Sequence, residues 1–417
     1  MILMKRCLFL LCLPVVVMLA GCARLFPEPT EAPAVAAIAE TVVPETAAPT
    51  EAPTEAPTQP EPTAPPDHVT SLLQSMTLRQ KVCQLFIVYP DALAPQETKE
   101  DCIQAFTAEL AEGLAKYPVG GFIQFSENIS SPAQITAFNK ALQANSRIPL
   151  FLCVDEEGGL VSRLANHKAF DLPTYRSPAS VGKGGDPVKA LEMGRTIGAY
   201  LNEYGFNVDF APVADVNTNP KNTVIGTRAF SSKPETAAQM AAAMAAGLRE
   251  QGIIATFKHF PGHGDTAEDS HDNLAVSHKT AGELAQCEWV PFASATENDM
   301  VMVGHIALPE LLGNRTPASM SAEVVTGILK DQLGFDGLVI TDSLEMGAVT
   351  DLYDSGEAAL AALEAGCDLL LMPANLETAF EAVVEAVETG AYPQVQLDAT
   401  VERILRFKER QGMLGIG

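Results

Sequence analysis

Titratable side chains are concentrated in one short stretch, residues 258–271, which reads KHFPGHGDTAEDSH. The groups that could move protons, bind a metal or hold a polar substrate are Lys258, His259, His263, Asp265, Glu268, Asp269 and His271. Pro261 and the two nearby glycines interrupt regular structure, so we predict a loop here. The apolar run 252–257 before it is typical of a buried strand. In a parallel α/β barrel, chemistry is carried out where strands end.

Three interpretations of this loop are open. It could be a solvated loop with incidental histidines. It could bind a metal through His259 and His263, four residues apart, with His271 as a third ligand; Pro261 argues against the helix that would align the first two. The third interpretation is an acid/base site in which Asp269 orients His271, since a carboxylate can hold one ring nitrogen and leave the other to move a proton.

Eight apolar runs alternate with helical segments between residue 67 and the end of the chain. The predicted strands lie at the end of 78–89 and at 119–125, 150–154, 208–213, 252–257, 300–306, 337–341 and 368–372. This alternation predicts an α/β fold, a (β/α)8 TIM-type barrel. Polar residues recur where these strands end, namely Asp155, Asp215, Arg228, Lys258, His259, His305 and Asp342. We expect them to converge on one rim of the barrel and to form a pocket.

The stretch 258–271 resembles the signature K-H-[FI]-P-G-x-G-x4-D-[ST]-H of the β-N-acetylglucosaminidase branch of glycoside hydrolase family 3. Every fixed position of the signature is present here. The resemblance also implies a barrel. Some members add a C-terminal α/β sandwich domain, but this chain stops soon after the eighth predicted strand. We therefore expect a single catalytic domain over residues 67–417 and no sandwich domain.

The resemblance implies a role for several residues. The nucleophile of the family stands at the first Asp of [ST]-D-[DS]-L-x-M, which is Asp342 here, and the acid/base would be His271 oriented by Asp269. Residues similar to those that hold the sugar in the family are Asp155 in V-D-E-E-G-G, Arg228 in G-T-R-A-F, Lys258 and His259. Many relatives have Asn before that arginine, where this chain has Thr227.

The implied function is a retaining exo-β-N-acetylglucosaminidase that acts through a covalent glycosyl-enzyme on cell-wall (peptidoglycan) fragments or related β-glycosides. A phosphorylase remains open, because a histidine does not repel an anionic acceptor such as phosphate. A family 3 β-glucosidase and a non-catalytic sugar-binding lipoprotein also remain open. The intact set Asp342, Asp269 and His271 favours an enzyme. We expect no cofactor and no metal, and we expect a monomer.

Composition restricts the partners. The formal net charge is −25 with 27 Lys and Arg, which argues against nucleic acid because nucleic acid requires a basic face. A hydrophobic content of 47% supports a sizeable core. Beyond Cys22, five scattered cysteines at 83, 102, 153, 287 and 367 do not suggest a disulfide framework. We expect them to be small buried hydrophobic residues.

Residues 1–21 have the features of a secretory leader. Lys5 and Arg6 precede an apolar run, and the segment ends Leu-Ala-Gly before Cys22. This ending resembles a bacterial lipobox, although an ordinary cleavage site with a chance cysteine is the alternative. Residues 22–66 are rich in Pro, Ala, Thr and Glu, so we predict a disordered linker. Together they predict a lipid anchor at Cys22 on the extracellular face of a bacterial cytoplasmic membrane.

Overall fold

The computed structural model describes residues 67–96, 102–266 and 274–414. The expected leader, Cys22 and linker lie outside the described residues, as do Asp269 and His271. The strands are β1 (Phe86–Val88), β2 (Gly121–Ile123), β3 (Phe151–Val154), β4 (Val208–Asp209), β5 (Ile254–Phe260), β6 (Ala275–Val276), β7 (Met300–Val303), β8 (Ile306–Ala307), β9 (Leu338–Thr341) and β10 (Leu370–Leu371).

The helices cover the outside of the sheet. They are α1 (His68–Ser75), α2 (Leu78–Cys83), α3 (Ala108–Lys116), α4 (Pro132–Ala144), α5 (Pro178–Gly182), α6 (Pro187–Glu203), α7 (Pro234–Glu250), α8 (Ala281–Gln286), α9 (Pro309–Leu312), α10 (Gly347–Thr350), α11 (Ser355–Ala365), α12 (Leu376–Thr389) and α13 (Gln394–Arg410). A π-helix, Glu323–Gln332, packs beside α11. Among the residues in these three described ranges, no helix is both long and apolar enough to cross a bilayer.

Eight of the strands form one parallel sheet in the order β10-β1-β2-β3-β4-β5-β7-β9. A parallel bridge between Ile340 and Leu369 joins its two ends and closes the ring. The barrel strands are short and buried on both faces, which explains why they read in the sequence as continuous apolar runs without alternation. The predicted (β/α)8 barrel is confirmed.

Two details of the predicted strands are corrected. The run 300–306 is not one strand: β7 ends at Val303, and β8 pairs with β6 in a separate two-stranded sheet. Strand β5 extends to Phe260, so Lys258 and His259 lie on a strand and not in a loop. The predicted burial of the five cysteines is confirmed for Cys83, Cys153 and Cys367, whereas it is wrong for Cys102 and Cys287, which are only partly buried.

The bottom of the barrel contains a buried lysine. Lys408 of α13 is fully buried, and its ammonium group donates to Gln84 Oε1 and to the carbonyl oxygen of Gly120, each at 3.1 Å. The same ammonium lies 4.6 Å from the ring centroid of Phe151. Burial lowers the pKa of Lys408 from an ordinary value of 10.5 to about 7. The folded barrel therefore favours the neutral amine.

We expect Lys408 to make the protein more stable as the pH rises from about 7 to about 10. A lysine whose pKa falls on folding stabilises the protein fully only above its unfolded pKa, and this stability is lost as the pH falls toward the folded pKa. The shift corresponds to on the order of 5 kcal/mol. Chemical denaturation at several pH values should show a rise in the free energy of unfolding that Lys408→Met lacks. The exposed control Lys140→Met should keep this rise; an equal rise in all three proteins would contradict the assignment.

Candidate active site

A cavity of ≈ 270 Å³ opens at the carboxyl ends of the barrel strands. Six residues singled out from the sequence line it, namely Asp155, Arg228, Lys258, His259, His263 and Asp342. Asp155 follows β3, Lys258 and His259 lie on β5, and Asp342 follows β9. The barrel thus brings together side chains that are up to 187 positions apart in the chain (342 minus 155).

An irregularity in β5 explains how two successive residues reach the same cavity. Side chains of successive strand residues normally point to opposite faces of a sheet. Between Phe257 and Phe260, however, β5 has one more residue than its partner strand β7, which pairs there through Val301 and Val303. Such bulges redirect a side chain and are common beside active sites. Lys258 and His259 both line the cavity as a result.

Asp342 has the properties of a carboxylate nucleophile. Its backbone N–H donates to the carbonyl oxygen of Val303 at 2.9 Å, and its Oδ1 accepts from the N–H of Ser343 at 2.8 Å. Burial by itself would raise the pKa of Asp342, but neighbouring groups that favour the carboxylate, among them the N–H of Ser343 and the ammonium of Lys258, lower it below its ordinary value. The side chain is therefore ionised at neutral pH and faces the cavity.

Glu157 was not assigned a role from the sequence, although it stands in the V-D-E-E-G-G motif. It accepts two bonds from Arg228, at 2.9 Å from Nε and 2.8 Å from Nη2, and Lys258 Nζ lies 2.7 Å from its Oε1. Burial would raise the pKa of Glu157, but Arg228 and Lys258 lower it far below its ordinary value. Its position two residues after Asp155, on the same side of an extended chain, was the available signal.

Asp155 connects the cations of the Glu157 cluster, Arg228 and Lys258, to a third cation. Its Oδ1 accepts from Lys258 Nζ at 2.6 Å, and its Oδ2 lies 3.6 Å from Arg163 Nη2. Arg163 also lines the cavity, and its guanidinium stacks 5.4 Å from the ring centroid of Phe125. The sequence analysis did not assign Arg163, because nothing in its spacing distinguishes it from a surface arginine. Glu157 and Asp155 thus hold three cations along one wall of the cavity.

Removing the charge of Glu157 should destabilise the fold. In Glu157→Gln the cations Arg228 and Lys258 lose a buried counter-charge, and breaking a buried ion pair by removing one partner costs about 3–5 kcal/mol. We therefore expect the free energy of unfolding, measured by urea denaturation, to fall by about 3 kcal/mol. Glu381→Gln is the matched control, because its pair with Arg79 is exposed and should contribute less than about 1 kcal/mol. An equal decrease in the free energy of unfolding in the two variants would show that the buried ion pairs of Glu157 contribute no more to stability than an exposed pair.

Two other residues predicted at strand ends lie behind the cavity and do not line it. His305 is buried, with Nδ1 at 2.7 Å from Ser319 Oγ and Nε2 at 2.9 Å from the carbonyl oxygen of Ser343. Burial lowers its pKa, so its neutral ring braces the turn that carries Asp342. Asp215 lies beneath His259, and its Oδ2 is 2.7 Å from His259 Nδ1. The expectation that His305 and Asp215 would form the pocket wall is therefore wrong.

The turn after β5 is tightly packed. Gly262 has a φ of 121°, and a Cβ atom there would lie 2.6 Å from the side chain of the buried Glu288. A Cβ on Gly264 would lie 1.9 Å from the carbonyl oxygen of Val216. His263, between them, lines the cavity, and its Nδ1 is 2.8 Å from Thr266 Oγ1. The glycines that broke regular structure in the sequence are thus required for close approach of this turn to its neighbours.

The metal interpretation gains no support from the described part of the chain. Within residues 67–96, 102–266 and 274–414, no group of three His, Cys, Asp or Glu side chains is arranged to hold a metal ion. The Nδ1 atoms of His259 and His263 instead face Asp215 and Thr266. His271, the third ligand of that interpretation, lies outside the described residues.

Comparison with known proteins agrees with this arrangement. Residues 77–407 match the family described as the glycosyl hydrolase family 3 N terminal domain. The chain is 34% identical to Beta-hexosaminidase A of Pseudoalteromonas piscicida over 341 residues, which are 74% of this chain and 57% of that protein. It is 33% identical over 336 residues to Beta-hexosaminidase LpqI of Mycobacterium tuberculosis, covering 76% of this chain and 84% of the relative.

A solved family 3 β-N-acetylglucosaminidase from Paenibacillus sp. str. FPU-7 has a similar structure, with a TM-score of 0.73 and 34% identity. The match covers 82% of this chain and 64% of that one. The chain thus spans less than two thirds of Beta-hexosaminidase A and of the Paenibacillus structure. The family model nevertheless covers most of the chain. The chain belongs to glycosyl hydrolase family 3.

Proposed function

We propose that the protein is a retaining exo-β-N-acetylglucosaminidase that releases terminal N-acetylglucosamine from cell-wall fragments or related β-glycosides. The observation that carries the proposal is an ionised Asp342 facing a wall of paired sugar-binding groups inside one cavity. Proteins similar to this chain are named beta-hexosaminidases, which supports the choice of sugar.

The charged wall of the cavity suits a neutral, hydroxyl-rich ring. Lys258 and Arg228 supply donors, while Asp155 supplies acceptors, and each charge already has a partner of opposite sign. A sugar can therefore bind without leaving an unpaired charge buried. The cavity is small beside typical pockets for drug-sized ligands of about 300–1,000 Å³, which favours one terminal ring over a longer stretch of polymer.

The reaction would proceed in two balanced steps. An oxygen of the Asp342 carboxylate attacks the anomeric carbon while the bond to the leaving oxygen breaks, and His271 gives its proton to that oxygen. His271, now neutral, then takes a proton from water, whose oxygen attacks the same carbon and releases Asp342 as a carboxylate. Asp269 would hold the imidazole in the orientation that both transfers need.

Room for the leaving group lies beside Asp342. A groove of ≈ 550 Å³ shares Phe125, Glu345 and Met372 with the cavity and continues past Tyr89 toward the ends of β1 and β2. The sugar-holding side chains come from the β3–β5 side, so a glycoside held by them would extend across Asp342 toward this groove. The groove gives a further sugar or a muropeptide a place to bind, which supports cleavage of a larger substrate.

Parallel assays test the proposed function. The p-nitrophenyl β-glycosides of N-acetylglucosamine and of glucose are each incubated with the full chain, with and without inorganic phosphate. We expect cleavage of the N-acetylglucosaminide at the same rate with and without phosphate, and release of the free sugar with retained configuration by NMR. Preference for the glucoside would make it a β-glucosidase, and formation of a sugar 1-phosphate would make it a phosphorylase. Turnover of neither substrate would favour a binding protein.

The proposed location of the protein rests on the sequence alone. We propose that Cys22 carries a lipid that holds the enzyme at the outer face of the cytoplasmic membrane, with residues 22–66 as a tether. Fractionation of cells that express the full chain would find the enzyme in the membrane, and Cys22→Ala would release it. Equal membrane retention of both proteins would disprove the anchor.

A further inference from the structure

One buried carboxylate organises the end of β5 without lining the cavity. Asp215 is fully buried and accepts three N–H donors. Its Oδ2 receives the ring Nδ1 of His259 at 2.7 Å and the backbone N–H of His259 at 3.2 Å. Its Oδ1 receives the backbone N–H of His263 at 2.6 Å. Asp215 therefore ties together the side chain of His259 and both ends of the turn that follows it.

The other ring nitrogen of His259 faces a group that can only donate. His259 Nε2 lies 3.4 Å from Nη2 of Arg228, and a guanidinium has no acceptor. A proton on Nε2 would place two donors against each other, and an imidazolium would add a repulsion between like charges. The guanidinium of Arg228 is held in place, because its Nε and Nη2 donate to Glu157 and its Nη1 donates to the carbonyl oxygen of Val224. Nε2 must therefore present its lone pair, and Nδ1 must carry the proton.

We propose that Asp215 is a positioning residue that fixes His259 as the neutral Nδ1–H tautomer, so that Nε2 is a hydrogen-bond acceptor at the cavity wall. The inference rests on the proposed function for its consequence. The neighbouring side chains Arg228 and Lys258 are donors, so His259 provides an acceptor among them. Arg228 shares the lone pair of Nε2 only through a long contact of 3.4 Å, so a sugar hydroxyl that contacts His259 must donate its proton to Nε2 in place of that contact. The site would select a hydroxyl at that ring position, and not merely an oxygen or another acceptor.

Asparagine at position 215 cannot reproduce this arrangement. It has one acceptor oxygen, whereas donors converge on both oxygens of Asp215. An amide NH2 facing His259 would require Nδ1 to accept, which would move the ring proton to Nε2, opposite Arg228. An NH2 facing His263 would place one donor against another, its backbone N–H, and this repulsion would displace the turn. The shape of the side chain is kept, so the change tests hydrogen-bond polarity more than packing.

The tautomer is measured directly by long-range proton–nitrogen NMR on the full chain labelled with nitrogen-15 histidine. The resonance of His259 is identified as the one that is lost in His259→Gln. At neutral pH we expect a protonated Nδ1 and an unprotonated Nε2 in the wild type, and a shift of the proton toward Nε2 in Asp215→Asn. A protonated Nε2 in the wild type would overturn the proposal even if the variant did not fold, and so would a His259 signal unchanged in a folded Asp215→Asn.

Kinetics with modified sugars provide a second readout. Analogues of the p-nitrophenyl N-acetylglucosaminide that carry hydrogen or fluorine in place of one hydroxyl are compared, since fluorine can accept but cannot donate. At the ring position whose hydroxyl contacts His259, we expect replacement of the hydroxyl by hydrogen to lower kcat/KM by about tenfold or more. Replacement by fluorine at the same position should lower kcat/KM by the same factor. In Asp215→Asn this penalty should shrink severalfold. Fluorine tolerated at every position in the wild type would overturn the proposal.

Asp209→Asn is the matched control. Asp209 is also fully buried on the neighbouring strand β4, and its Oδ1 accepts from a backbone N–H, that of Glu156 at 2.9 Å. The same substitution there should leave the His259 tautomer and the fluorine penalty unchanged; an equal effect in both variants would reduce Asp215 to a general structural role. If no p-nitrophenyl substrate is cleaved, the proposed function fails, while the NMR result still decides the tautomer.

Discussion

Asp342→Asn is expected to lower kcat by at least about a thousandfold while the fold is retained, as found when other catalytic nucleophiles are removed. The amide has nearly the same shape and can still accept the N–H of Ser343 through its oxygen. It cannot, however, form the covalent intermediate at a useful rate, because a neutral amide is a far poorer nucleophile than a carboxylate. Steady-state rates with the aryl N-acetylglucosaminide measure the loss.

Unchanged circular dichroism and thermal unfolding would show that this loss is chemical. Asp351→Asn is the matched control: it makes the same change at an exposed position nine residues further on and should keep the full rate. The prediction is specific to Asp342 because its side chain lines the cavity and its Oδ1 accepts the N–H of Ser343, a bond that favours the ionised carboxylate. A variant that retained a tenth of the wild-type rate would mean that the nucleophile lies elsewhere.

His271→Gly is expected to impair natural substrates far more than activated ones. An ordinary sugar leaving group needs a proton to depart, whereas p-nitrophenolate leaves with little help. Loss of a general acid typically costs about 10²–10⁴-fold, so we expect a decrease of about a hundredfold or more with a GlcNAc-MurNAc disaccharide. The decrease with the aryl glycoside should be much smaller in its first step. Rates with the two substrates, compared in one enzyme preparation, measure this difference.

With the aryl substrate, the second step should become limiting in this variant, because no base remains to activate water. The glycosyl-enzyme on Asp342 should then accumulate and be visible by mass spectrometry. Azide, which needs no base, should restore turnover and yield a glycosyl azide. Asp269→Ala should show a weaker form of the same pattern, since it orients the imidazole and does not transfer the proton.

The exposed His278, seven residues further along the chain, provides the control for azide rescue. His278→Gly should behave as the wild type with both substrates and should not respond to azide. The contradicting result would be an equal loss of rate with both substrates in His271→Gly, with no trapped intermediate and no azide rescue. His271 would then be a binding residue, and the assignment of Asp269 and His271 as an acid/base pair would be wrong. The retaining mechanism would then need another proton donor.

The two predictions separate the roles of the two sides of the site. Loss of Asp342 should remove both steps at once, so azide should not rescue Asp342→Asn. Loss of His271 should leave the first step available to good leaving groups. An enzyme that obeys both patterns must form a covalent intermediate on Asp342 and use a removable proton donor, which is the proposed mechanism.

The sequence by itself determined that the chain folds as a barrel and which end of the barrel carries the site. Strands buried on both faces must be apolar throughout, so their positions can be read locally, and polar residues directly after them must meet at one rim. Asp155, Arg228, Lys258, His259 and Asp342 were identified in this way and by resemblance, and the structure places all of them around one cavity.

Only the tertiary structure decided how these residues are paired. The bond from Glu157 to Arg228 spans 71 positions and joins the end of β3 to the loop after β4, so it exists only once the barrel has closed. His305 and Asp215 carry the same local signal as Asp342, yet one turns toward Ser343 and the other beneath His259. The bulge that directs the side chains of both Lys258 and His259 into the cavity depends on the register of β5 against β7. Local sequence specifies which side chains stand at strand ends, whereas their directions and partners depend on residues brought close by the closed ring.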